Sequence, residues 1–80
     1  MNLTNNAQRV LEYVASKDYS ATAEDIYSAL HMDKTILLSS IYKLVQNGLQ
    51  VTTTINKKDI RTVSVKKTRM LNRYLTKDIH

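Results

Sequence analysis

The stretch IYKLVQNGLQV, residues 41–51, contains the single glycine of an 80-residue chain that has no proline. Asn47-Gly48 has two readings. Asn-Gly between alternating apolar residues is a hairpin turn, whereas a glycine just past a helical run is a helix stop. The residues before it decide. Leu37, Ile41 and Leu44 recur at i, i+4 and i+7, with Ser40 and Val45 beside them, so the helical period persists to Asn47, and SSIYKLV does not alternate. Gly48 is therefore expected in the left-handed conformation just after the helix. Leu44 and Leu49 then form the apolar contact that accompanies a Schellman stop. Asp33 is the matching N-cap at the other end.

After Gly48 the period changes to two. LQVTTTI alternates Leu49, Val51, Thr53 and Ile55 with polar residues, and its β-branched content favours a strand. NKKD, residues 56–59, is a polar loop, and IRTVSV returns with Val63 and Val65 on one face, which makes a hairpin with Lys57 and Lys58 at its tip. Before residue 33, Ala7, Val10, Leu11 and Val14 mark a helix over about residues 6–17, and Asn5 with Gln8 reads as a capping box. DYSA is a polar break. Thr22 caps a short second helix whose buried stripe is Ala23, Ile26 and Leu30. Glu24 and Asp25 lie in its first turn, where the helix dipole accounts for them without a catalytic role. The end resumes helical spacing with Met70, Leu71, Tyr74 and Leu75, capped by Thr68 and basic on its polar face through Lys67, Arg69, Arg73 and Lys77.

The order is three helices, a hairpin and a C-terminal helix, an α+β fold that is mainly α. Neither the short second helix nor the hairpin can stand alone, so both must pack on the other helices. Residues 1–66 are expected to form the domain and residues 67–80 an appended amphipathic helix. The net charge of +5 is unevenly placed: residues 1–33 hold two basic and five acidic side chains, residues 34–80 ten basic and two acidic. A basic half of that kind is directed at a polyanion, most often nucleic acid. The chain has no cysteine, which fits a reducing cytoplasm. It shows no signal-like N-terminus and no apolar run of about 20 residues, so a soluble, cytoplasmic protein is expected.

TAEDIYSALHMDKTILLSSIYKLVQNGL followed by QVTTTINKKDIRTVSV resembles a winged helix-turn-helix domain of bacterial and viral transcription regulators. Ile41, Leu44, Gly48 and Leu49 match the end of its recognition helix. The resemblance covers residues 6–66, marks the fold and names no subfamily. It implies a three-helix core and a two-stranded wing, with the third helix, residues 34–46, entering the major groove of double-stranded DNA. The wing tip INKKDI would touch the backbone or minor groove, and a cytoplasmic protein of this kind would be nucleoid-associated. A weaker resemblance, to winged helices that bind left-handed nucleic acid, rests on SATAEDIYSALHMDK and IYKL with Tyr42. Leu38 stands where that group has asparagine, and its Pro-Pro-x-Trp wing has no counterpart, so that function is set aside.

The residues bear on the same role independently. With Leu37, Ile41 and Leu44 inward, the opposite face of the third helix carries Thr35, Ser39, Tyr42 and Gln46, flanked by Lys34 and Lys43. Threonine, serine and glutamine can hydrogen-bond base edges while lysine neutralises phosphate. Lys57, Lys58 and Arg61 are the corresponding phosphate contacts of the hairpin. Each residue also has a plainer reading: Tyr42 packing on the wing, Gln46 as surface, and the lysines as protection of a sheet edge. Leu38 could meet a thymine methyl, a protein partner or the first helix. Met70, Leu71, Tyr74 and Leu75 form the available dimerisation element, unless that helix folds back on its own chain. The alternative function is a winged-helix adaptor or inhibitor that docks on an acidic protein partner or on a nucleic-acid-processing enzyme. His31 and His80 lack ligand partners at productive spacing, and no nucleophile arrangement or phosphate loop occurs, so no metal, cofactor or enzymatic activity is expected.

Overall fold

Residues 5–75 are described in a computed structural model of the chain, apart from the side chains of Met70, Arg73 and Leu75. The elements are α1 (Asn5–Ser16), β1 (Ser20–Thr22), α2 (Ala23–Leu30), α3 (Lys34–Gln46), β2 (Val51–Ile55), β3 (Arg61–Val65) and α4 (Arg69–Leu75). Three helices begin on a side-chain cap that satisfies one otherwise unpaired amide. Thr22 Oγ1 accepts from Asp25 N–H at 3.1 Å, Asp33 Oδ1 from Ile36 N–H at 2.9 Å, and Thr68 Oγ1 from Leu71 N–H at 3.2 Å. The capping box expected at Asn5 is not formed. Asn5 is already helical, and the Gln8 amide donates to Glu12 Oε2 at 2.8 Å, one turn along the same face.

Gly48 ends α3 as a helix stop. Its φ is 91°, Leu49 N–H donates to the Leu44 carbonyl at 3.1 Å, and Gly48 N–H to the Val45 carbonyl at 3.0 Å. These are the two bonds of a Schellman motif. Leu44 and Leu49 are both buried in the core it closes on.

The sheet corrects the expectation of a two-stranded hairpin. It has three antiparallel strands in the order β1-β3-β2, with Ser20 and Ala21 of the supposed polar break and the capping residue Thr22 paired to Ser64, Val63 and Thr62. Two consecutive left-handed residues, Asp18 (φ 61°) and Tyr19 (φ 67°), turn the chain out of α1 and into β1. Tyr19 O then accepts from Val65 N–H at 3.0 Å. Directly opposed residues share a face, so Ala21, Val63, Val65 and Val51 lie toward the helices. Ser20, Thr22, Thr52, Thr54, Thr62 and Ser64 make the other face entirely of hydroxyls, with Ser20 Oγ and Ser64 Oγ 3.0 Å apart.

The core joins Val10, Leu11 and Val14 of α1 to Ile26, Leu37, Leu44, Val63 and Leu71, each fully buried. Full burial of such a side chain contributes about 1.5–3 kcal/mol. Leu71 and Tyr74 of α4 belong to this cluster, so α4 is packed into the fold rather than appended to it. Arg9 ties α1 to the end of α2 by donating to the Leu30 carbonyl at 2.8 Å. Ile55 departs from the alternation read in β2. It lies on the inner side but stands 58 % exposed, on the outer strand of the sheet.

Candidate nucleic-acid interface

Helix α3 is positioned by Leu37, Ser40 and Leu44, which are buried against the rest of the core. Ser40 is accommodated there because its hydroxyl donates to the Ile36 carbonyl at 2.8 Å. With that face fixed inward, Thr35, Ser39, Tyr42 and Gln46 are exposed, as are Lys34 and Lys43. Tyr42 is 63 % exposed and therefore does not pack on the hairpin. No residue of α3 is acidic.

The two flanks of α3 face different neighbours. Thr35, Ser39 and Lys43 line a cleft of about 320 Å³ with Asn6 of α1. On the opposite flank Lys34 lines a second cleft, of about 310 Å³, with Glu24 and Tyr27 of α2 and Ile55, Asp59 and Arg61 of the hairpin. At 100° per residue, Leu38 and Val45 fall on the row of Lys34. Both are exposed, at 44 % and 48 %, so Val45 does not join the buried stripe beside which the sequence places it. The exposed side of α3 is thus polar along its middle and apolar along the flank toward the hairpin. Sequence periodicity alone missed this, since it treats a valine beside a buried row as part of that row.

The hairpin tip is held by a compact turn. Asn56 N–H donates to the Ile60 carbonyl at 3.1 Å, Asp59 N–H to the Asn56 carbonyl at 3.0 Å, and Asp59 is left-handed at φ 61°. This is a three-residue hairpin loop with its left-handed residue in last place. Asn56 Oδ1 also accepts from Lys58 N–H at 2.8 Å and Ile60 N–H at 3.0 Å, an Asx turn that orders the loop from inside. Lys57 and Lys58 are left exposed at its apex. Arg61 is not with them. It is half-buried and lines the cleft that also contains Glu24 and Asp59.

The residues expected to dimerise are placed differently. Leu71 and Tyr74 are buried in the chain's own core, and Tyr74 Oη donates to Asn47 Oδ1 at 3.4 Å. The fold-back arrangement therefore takes both from any dimer surface. The side chains of Met70 and Leu75 lie outside the described residues, as do Lys77 and His80. His31 is exposed between α2 and α3. Among the described residues no three histidine or carboxylate side chains converge as metal ligands, and no helix is long and apolar enough to cross a membrane. Comparison with protein-family models, with curated proteins and with solved structures finds no match to this chain.

Proposed function

We propose that this chain is a winged helix-turn-helix protein that binds double-stranded DNA sequence-specifically, as a small transcriptional regulator. In this reading α3 is the recognition helix and the β2–β3 hairpin is the wing. The observation that carries it is the exposed face of α3. Thr35, Ser39 and Gln46 stand free to hydrogen-bond, Lys34 and Lys43 flank them, and no carboxylate lies on the helix. A helix presented only to water gains solubility and pairing from Glu and Lys together; one without carboxylates suits a polyanion. The doubly lysine-tipped hairpin gives a second cationic point, and residues 34–80 together hold ten basic side chains against two acidic ones. Lysines at these two places neutralise phosphate and fix register, while the short polar side chains between them read base edges.

Fluorescence anisotropy on duplex DNA across a salt series tests the proposal. Binding through several lysines falls steeply with salt, with a log–log slope of about −0.9 for each phosphate neutralised. Replacing Lys57 and Lys58 with alanine weakens binding to every sequence alike and makes that slope shallower by about one for each lysine that had paired with a phosphate. Ser39→Ala or Gln46→Ala instead changes sequence preference. Absence of binding to any duplex at low salt would overturn the proposal in favour of an adaptor that docks on an acidic protein.

A further inference from the structure

Four large apolar side chains stand exposed among the described residues: Leu38, Tyr42 and Val45 on α3, and Ile55 on β2. Leu38 and Val45 lie on the flank of α3 that turns toward the hairpin, the flank on which Lys34 shares a cleft with Ile55. They therefore border the free edge of the sheet. That edge is β2, the outer strand of the order β1-β3-β2.

The ladder shows which backbone groups of β2 are unpaired. Lys66 N–H donates to the Gln50 carbonyl at 2.9 Å and Asn56 N–H to the Ile60 carbonyl at 3.1 Å, one at each end of the pairing of Val51–Ile55 with β3. Hydrogen-bonded and non-hydrogen-bonded pairs alternate along an antiparallel ladder. Residues 50, 52, 54 and 56 thus face β3, and the N–H and C=O groups of Val51, Thr53 and Ile55 point away from the sheet. Soluble proteins guard such an edge with lysine, proline, a bulge or a covering element. VTTTI has no charge and no proline, every residue in it is β-branched, and residues 52–55 are exposed.

We propose that β2 pairs with β2 of a second copy of this chain, antiparallel about a two-fold axis through Thr53, to join the two sheets into one. The strand is self-complementary in that register. Thr53 meets the partner's Thr53 and Val51 meets the partner's Ile55, and these three positions are the ones whose backbone groups face outward. Each pair exchanges both of its N–H···O bonds. Val51, Thr53 and Ile55 also share the inner face, so Ile55 leaves water against an apolar residue. Both α3 helices lie on that face, which turns the Leu38 and Val45 flanks toward each other in an isologous interface. The surface is distinct from the row Thr35, Ser39 and Gln46, and the dimer forms without DNA, so its failure is separable from failure of the DNA reading.

Sedimentation equilibrium of the full chain, from about 1 μM to about 1 mM, tests this without nucleic acid. The average mass is expected to rise from the 9.2 kDa of one chain toward twice that value. Thr53→Pro removes an N–H that only the partner would use and leaves the β3 ladder intact, as proline at an edge position allows. It is expected to raise the dissociation constant by about tenfold or more. Ile55→Lys, at a side chain the single chain already exposes, is expected to do the same and decides the matter if Thr53→Pro loses the native circular dichroism. A single 9.2 kDa species at every concentration overturns the proposal. So does a dimer of unchanged strength in Ile55→Lys, which would assign association to another surface.

Discussion

At the end of α2, His31 sits at φ 53° and ψ 49°, and Met32 N–H reaches back to the Tyr27 carbonyl at 3.3 Å. At the end of α3, Gly48 sits at φ 91°, and Leu49 N–H reaches the Leu44 carbonyl at 3.1 Å. The two stops share the same back-reaching bond and differ in the residue that makes the reversal. His31 falls inside the left-handed well open to ordinary residues, which spans about +50 to +70° in φ. Gly48 lies beyond it, where a Cβ collides with the backbone. Burial differs as well. Leu44 and Leu49 are almost wholly buried, whereas Tyr27, the counterpart of Leu44, is half-buried. The left-handed conformation alone therefore does not demand glycine; its depth in φ does, and the stop that demands it joins the candidate reading helix to the edge strand.

Deleting the apolar half of each stop breaks the comparison hardest. Leu44→Ala is expected to cost about 2–5 kcal/mol, the range for a fully buried leucine. Tyr27→Ala, at a half-buried site, should cost distinctly less. Urea denaturation of both variants gives the difference, and equal losses would refute the assignment of unequal burial to the two stops. The backbone half comes next. Gly48→Val is expected to cost about 1–2 kcal/mol through the left-handed conformation that a branched side chain resists. A variant as stable as the parent would mean that the chain can enter β2 without that conformation, and the geometry of α3 against β2 would have to be redrawn.

Much of this molecule was legible at the level of period and cap. Thr22, Asp33 and Thr68 announce their helices because a hydroxyl or carboxylate before a periodic run has one clear use, and Gly48 announces its stop because nothing else in the chain can turn so far. β1 was not legible. Three residues are too few to display a period of two, and the reversal that delivers them is made by Asp18 and Tyr19, neither of which signals a turn as glycine does. On the candidate interface, the polar row Thr35, Ser39 and Gln46 follows from helical spacing alone. The exposure of Val45 and Ile55, and the place of Arg61 in a cleft with Glu24 and Asp59, depend on how the elements pack against one another. Tertiary placement of that kind leaves no mark on local sequence.

The smallest expected effect sharpens the comparison from its other side. His31→Gly removes the Cβ from a left-handed residue, which relieves about 1–2 kcal/mol of steric cost in the folded state. It also loosens the unfolded chain, which takes back about 0.5–1 kcal/mol. The imidazole is exposed, so its removal sacrifices little packing. The net expectation is a gain of about 0.5 kcal/mol, read as a higher urea midpoint at unchanged slope. A lower midpoint would show that the His31 side chain contributes to the turn between α2 and α3 more than its conformation costs. The equivalence of the two stops would then hold for the hydrogen bond alone. A gain would instead mean that the chain has left a correctable strain at the α2 stop and none at the α3 stop, the one that sets the angle between α3 and β2.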